Sequence, residues 1–141
     1  MTDQVNRARV EFLSIPDNLG FARVAATSFA ASLGFTLEEL EDIKLAVSEA
    51  VSNCVVHAYP RDPGPVVMVL EVFNRGFRVE VRDEGVGIAD IEAARAPGYS
   101  SDPERMGMGL TLIEALSDSF EISSSPGSGT VVTMSFTPEG S

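Results

Sequence analysis

A chain of 141 residues with 44% apolar and 22% charged side chains is sized and mixed for one globular domain, residues 1–141, that buries about two-thirds of the surface its unfolded form exposes. A formal charge of −11, with ten basic residues scattered along the chain, argues against direct binding of nucleic acid through phosphate neutralisation, and no run of about 18 apolar residues offers a membrane span. The single cysteine, Cys54, excludes an internal disulfide; with no signal-peptide pattern in the first seven residues, a reducing, cytoplasmic setting is expected.

Residues 9–15 alternate at period two and predict a strand. Pro16-Asp17-Asn18 breaks it, and Asp17 or Asn18 is placed to cap a helix running to about Leu33, with Phe21, Val24, Ala25 and Phe29 as its expected buried face and Gly34 as its stop. Thr36 and Glu39 have capping-box spacing ahead of a long helix to about Ala58. On that helix Ile43, Val47, Ala50, Val51, Cys54 and Val55 recur at helical spacing and should face a sheet. Pro60 and Pro63-Gly64-Pro65 end it. Residues 66–73 and 77–82 then read as a hairpin joined by Asn74-Arg75-Gly76. A stretch containing Gly, Pro and Ser follows from Glu84 to Met106, then a helix over 109–117 and strands over 119–124 and 130–136 around Pro126-Gly127-Ser128-Gly129. The order β-α-α-β-β-loop-α-β-β predicts an α+β fold, a two-layer sandwich of a mostly antiparallel sheet covered by helices on one face.

Four constellations carry candidate chemistry. Glu49, Asn53 and His57, spaced i, i+4, i+8, form one polar stripe beside the apolar face of the long helix, where burial without partners would be costly. Asp83-Glu84-Gly85-Val86-Gly87 follows a strand: the glycines permit a sharp turn or a close ligand approach, and Asp83 can accept a hydrogen bond from a donor such as an adenine amino group. Arg105-Met106-Gly107-Met108-Gly109 opens a helix, where free N–H groups and the positive dipole end suit phosphates and Arg105 can reach a terminal one. It is neither a Walker A motif nor a full G-x-G-x-x-G. Gly129-Thr130 enters the last strand. Each alone has an ordinary explanation: a solvated helix edge, an Asp/Gly turn, a hinge before a helix, a hairpin turn.

In this order, from Glu49 to Thr130, the four motifs resemble the GHKL ATP-binding superfamily of gyrase, Hsp90, histidine kinases and MutL. The segments 48–59, 81–88 and 104–109, with Phe21-Ala22-Arg23-Val24, resemble more narrowly the anti-sigma factor serine kinases, first the anti-sigma F type of sporulating bacteria (SpoIIAB-type) and next the anti-sigma B type (RsbW-type). That resemblance implies ATP/ADP and Mg²⁺ as cofactors, Glu49 as general base, Asn53 as magnesium ligand and His57 near the phosphates or lid. It also implies that Asp83 takes the adenine amino group beside a wall shaped by Gly85 and Gly87. Gly107, Met108 and Gly109 would contact phosphate, Arg105 would stabilise the transferred phosphoryl, and Thr130 would lie near the adenine. A lid is expected over about 88–106. The implied partners are a sigma F-like sigma factor, a STAS-type anti-sigma antagonist phosphorylated on serine, and a second copy in a homodimer, with Arg23 on the partner surface. Two other readings stand beside this one: a nucleotide-dependent sequestering module without transfer, and a GHKL ATPase.

Overall fold

The computed structural model describes residues 3–87 and 104–139, with 104–108 described by their backbone. The strands are β1 (Gln4–Leu13), β2 (Pro65–Phe73), β3 (Gly76–Asp83), β4 (Ser119–Ser125) and β5 (Gly129–Phe136). They form one sheet in the order β1-β2-β3-β5-β4, every neighbouring pair antiparallel. Helices α1 (Leu19–Ala30), α2 (Leu37–Asn53) and α3 (Glu104–Leu116) cover one face, α2 packing between the other two. Period-two alternation assigns Val66, Met68, Leu70 and Val72 of β2, and Phe77, Val79 and Val81 of β3, to the helix side, where they join Ile43, Val47 and Val51 of α2 in the core. Among the described residues no helix is long and apolar enough to cross a membrane.

α2 begins as its sequence predicts. Thr36 N–H donates to Glu39 Oε1 at 2.8 Å, and Glu39 N–H donates to Thr36 Oγ1 at 3.1 Å. These bonds satisfy backbone groups that have no partner inside the helix. The backbone N–H groups of Thr36 and Glu139 hold the Glu39 carboxyl below the usual carboxylate range. Thr36→Ala should cost about 1 kcal/mol of folding stability, read as a lower urea midpoint with unchanged slope.

α1 packs differently from expectation. Its buried stripe is Ala22, Ala26 and Ala30, all 0% exposed, whereas Phe21 and Val24 are 49% and 67% exposed and Ala25 and Phe29 sit at the core margin. Small side chains at i, i+4, i+8 let α1 approach α2 and β2 more closely than a Phe/Val stripe would. Phe21 instead meets Phe12 edge-on, with ring centroids 5.8 Å apart. Neither candidate cap accepts a bond at the start of α1. Residues Pro16–Asn18 form a 3-10 turn, and Asn18 Nδ2 donates back to the Leu13 carbonyl at 2.9 Å.

The long helix ends near Ala58 as expected but changes its winding, and the start of the last helix moves. The last turn of the long helix, Cys54–Ala58, is wound as a π-helix, so the helix widens where it reaches the end of β3. α3 starts at Glu104, five residues ahead of the expected Gly109, which puts both glycines of Gly107-Met108-Gly109 inside the helix. The expected lid over 88–106 lies outside the described residues from 88 to 103.

Candidate functional site

The end of β3, the last turns of α2, α3 and the strands β4 and β5 converge on one partly open pocket. Its walls are apolar, chiefly Ala50, Val81, Leu110, Ile122 and Val132, and its polar groups are Asn53, His57, Asp83 and Thr130. A mostly apolar concavity with a few convergent polar groups is the usual form of a small-molecule site.

Asp83 is the floor. As the last residue of β3 it points to the helix side of the sheet and is 9% exposed. Its Oδ1 accepts from the Gly85 N–H at 2.9 Å and its Oδ2 from the Cys54 S–H at 3.6 Å. Burial pushes the Asp83 carboxyl above its ordinary value, and the Gly85, Cys54 and Thr130 donors oppose that rise. Burial first, and the nearby Asp83 charge second, push the Cys54 thiol well up, so it stays protonated and able to donate. Across the sheet Asp83 stands opposite Thr130, and Thr130 opposite Ser124, whose hydroxyls share a 2.7 Å hydrogen bond.

Gly85 and Gly87 shape the wall through close backbone approach. A Cβ on Gly85 would lie 2.1 Å from the Ala58 carbonyl oxygen, which accepts from Val86 N–H at 2.9 Å. Gly87, at φ +75°, would put a Cβ 2.1 Å from the Ser125 carbonyl oxygen. Any side chain at either place drives the loop off the end of α2 or off the β4–β5 turn.

The polar stripe of α2 lies along the side of the pocket. Asn53 and His57 line it, and Glu49 stands one helical turn before Asn53. Gly109 of α3 is pressed against both: its added Cβ would stand 3.1 Å from Glu49 Oε2 and 3.4 Å from Asn53 Oδ1. The glycine thus brings α3 within contact distance of a carboxylate and an amide, an approach that a larger residue would prevent. The N–H groups without intrahelical partners at a helix start are those of the N-cap and the first three helical residues, here 104–106 among the described residues, so Gly107 and Gly109 both lie just inside the paired part of α3. Arg105 and Met108 fall in this helix, but their side chains lie outside those described.

Arg23 is not part of this pocket. It donates to Ser48 Oγ at 3.4 Å and borders an open depression with Glu41, Asp42, Lys44 and Leu45 on the outer side of α1 and α2. Among the described residues no group of three His, Cys, Asp or Glu side chains is placed to hold a metal ion. That donor set fits Mg²⁺ poorly by itself, but Mg²⁺ commonly takes only one or two protein oxygens and completes its shell from phosphates and water, and the Asn53 amide oxygen is a hard donor at the pocket edge.

Sequence reasoning missed two contributors. Cys54 reads there as a small core filler. Tyr59 drew no attention, yet its hydroxyl donates to the Pro65 carbonyl at 2.6 Å and accepts from the Glu84 N–H at 2.8 Å, tying the Asp83 loop to the start of β2. Gly64 was the available signal: a Cβ there would stand 2.3 Å from the Tyr59 ring. Tyr59→Phe keeps the ring and removes both bonds; it should lower stability by about 1 kcal/mol in chemical denaturation.

The model of the histidine kinase-like ATPase domain matches residues 12–136. The chain is 44% identical over 131 residues to the anti-sigma F factor of Clostridium acetobutylicum, with 92% of each chain covered. It is 48% identical over 133 residues to that of Pasteuria penetrans, covering 92% of this chain and 89% of the relative. The crystal structure of the RsbU and RsbW domains of a Mycobacterium tuberculosis protein superposes with a TM-score of 0.69 at 22% identity, over 94% of this chain and 32% of that longer one, a likeness of fold.

Proposed function

The chain belongs to the histidine kinase-like ATPase family and, within it, to the anti-sigma F factors, and on that premise we propose that it holds a sigma factor and uses Mg-ATP to phosphorylate a STAS-type anti-sigma antagonist on serine. The observation that carries the nucleotide half is the buried Asp83 carboxylate at the floor of an apolar pocket, bordered by the Glu49–Asn53 stripe pressed on Gly109.

A purine in this pocket would have its faces against the apolar walls and its 6-amino group donating to Asp83, with Thr130 beside it. The phosphates would extend along α2 toward the start of α3, whose first-turn N–H groups and positive dipole end suit negative charge in an otherwise acidic protein, with Gly107, Met108 and Gly109 as the proposed phosphate contacts. Arg105, in the same turn, is the cation proposed to meet charge on the transferred phosphoryl. Mg²⁺, held from the protein side by Asn53, would neutralise phosphate charge. Glu49 is the proposed base: it takes the proton of the substrate serine as the hydroxyl oxygen attacks phosphorus. His57 follows on the same stripe, near the phosphates. A pure sequestering module would have no use for a carboxylate at this place.

The partner surfaces draw on different features. Phe21 and Val24, half or more exposed, flank Arg23 on α1, and an apolar pair around a cation is a suitable docking surface for a protein partner. β1 is an edge of the sheet, which supports a homodimer formed along that side. A sigma factor as partner places the protein in the cytoplasm.

The test mixes the protein, Mg-ATP and a cognate antagonist, and maps phosphate on the antagonist by mass spectrometry. Phosphoserine is expected. Its absence with the sigma factor still bound would leave the sequestering module as the reading, and ATP hydrolysis without transfer would leave the ATPase.

A further inference from the structure

The Asp83 carboxylate is held by its own loop, by α2 and by the Thr130 backbone of β5 before any ligand arrives. Oδ1 accepts from the Gly85 N–H of its own loop, at 2.9 Å, and Oδ2 accepts from Cys54 on α2, at 3.6 Å. A carboxylate offers about four acceptor sites, so after these donors it retains capacity for a bond from the pocket side. Cys54 is itself a pocket residue, 4% exposed, and its sulfur is also 3.5 Å from the Ala50 carbonyl. One S–H proton serves one acceptor at a time. With Asp83 ionised the charged oxygen is the stronger acceptor, and the thiol turns toward it.

We propose that Cys54 is a positioning residue for the base: by donating its S–H to Asp83 Oδ2 it fixes the carboxylate in the orientation that receives the 6-amino group of adenine, and so contributes to the preference for a 6-amino purine. This rests on the reading of Asp83 as the group that receives the base. Of the three anchors, the Gly85 N–H belongs to the same loop as Asp83 and moves with it and the Thr130 backbone belongs to the paired strand β5, whereas Cys54 ties the carboxylate to the helix that carries Glu49 and Asn53. The thiol therefore keeps the base end of the site in register with the α2 stripe along which the phosphates are proposed to run. Removing it takes away the donor that α2 supplies to Oδ2 and loosens the orientation of the carboxylate.

The experiment compares ATP with purine riboside 5′-triphosphate, which carries hydrogen in place of the 6-amino group, by calorimetric titration in the presence of Mg²⁺. Cys54→Ala should weaken ATP binding about three- to tenfold and leave the analogue within about twofold, so the preference for ATP narrows. Cys54→Ser restores a donor and should hold the preference within about twofold of the parent. A role in packing alone would weaken both ligands equally in Cys54→Ala; that result, or an unchanged preference, overturns the inference while leaving Asp83 in place. A parent protein that binds the two triphosphates equally overturns the Asp83 reading and this inference together.

Discussion

Glu49→Gln binds Mg-ATP as the parent does and transfers the γ-phosphoryl to the antagonist at least about 100-fold more slowly. The expected size is that of removing a general base, whose contribution is typically about 10²- to 10⁴-fold. Glutamine keeps the shape and length of the side chain and loses only its ability to take a proton. Shape matters at this position because the carboxylate is packed on Gly109, whose Cβ, if present, would be 3.1 Å from Glu49 Oε2. An alanine would open a gap between α2 and α3 and confuse a structural loss with a chemical one. Glu49 is also outside the pocket lining, one turn away from Asn53, so the base contact to Asp83 should survive the substitution. Single-turnover transfer monitored by phosphoserine, beside a calorimetric affinity for ATP, separates the steps. A near-parental transfer rate would remove Glu49 from the role of base. A loss of binding equal to the loss of transfer would make it a nucleotide-holding group instead.

What could be read from the residues, and what could not, divides by the range of the interaction involved. The Thr36–Glu39 capping box is complete within four residues, and the structure contains both of its bonds. The hairpin was legible for the same reason, its turn being the two residues Asn74 and Arg75 between the paired Phe73 and Gly76. The candidate site residues stood out because a carboxylate, amide and imidazole along an apolar helix are expensive to bury without a purpose. The face of α1 was not legible. Its alanine stripe carries less hydrophobic weight than the Phe21 and Val24 beside it, and only the closeness of α2 and β2 selects the smaller side chains. The start of α3 was hidden by its own glycines, which read as a hinge. They are tolerated inside the helix because Gly109 has to lie against Glu49 and Asn53. The contact between Cys54 and Asp83 spans 29 residues and exists only once α2 is laid across β3.

Asp83→Asn should weaken ATP binding by about 30- to 150-fold, equivalent to about 2–3 kcal/mol, while leaving the fold as stable at neutral pH or more so. The two effects have opposite signs because the same buried charge serves one and opposes the other. For binding, the amide loses the charge, and one of its two ends becomes a donor that meets either the Cys54 S–H or the incoming amino group donor to donor. For folding, an ionised carboxylate that is 9% exposed carries a desolvation cost that a neutral amide avoids. The parent protein should show the same opposition as a pH dependence. Burial raises the Asp83 carboxyl above its ordinary value near 4, so the folded form holds its proton over a window in which the unfolded chain has released it. Across that window the Asp83 contribution to folding stability falls as pH rises, whereas nucleotide affinity rises as the carboxylate ionises. Above the raised value both level off. Urea unfolding of parent and Asp83→Asn proteins at a series of pH values, paired with ATP titrations at each, reads the two slopes separately. An Asp83→Asn protein that loses stability at neutral pH along with binding would mean that the carboxylate is a structural anchor for the Gly85 loop, and the purine contact would have to be sought elsewhere in the pocket.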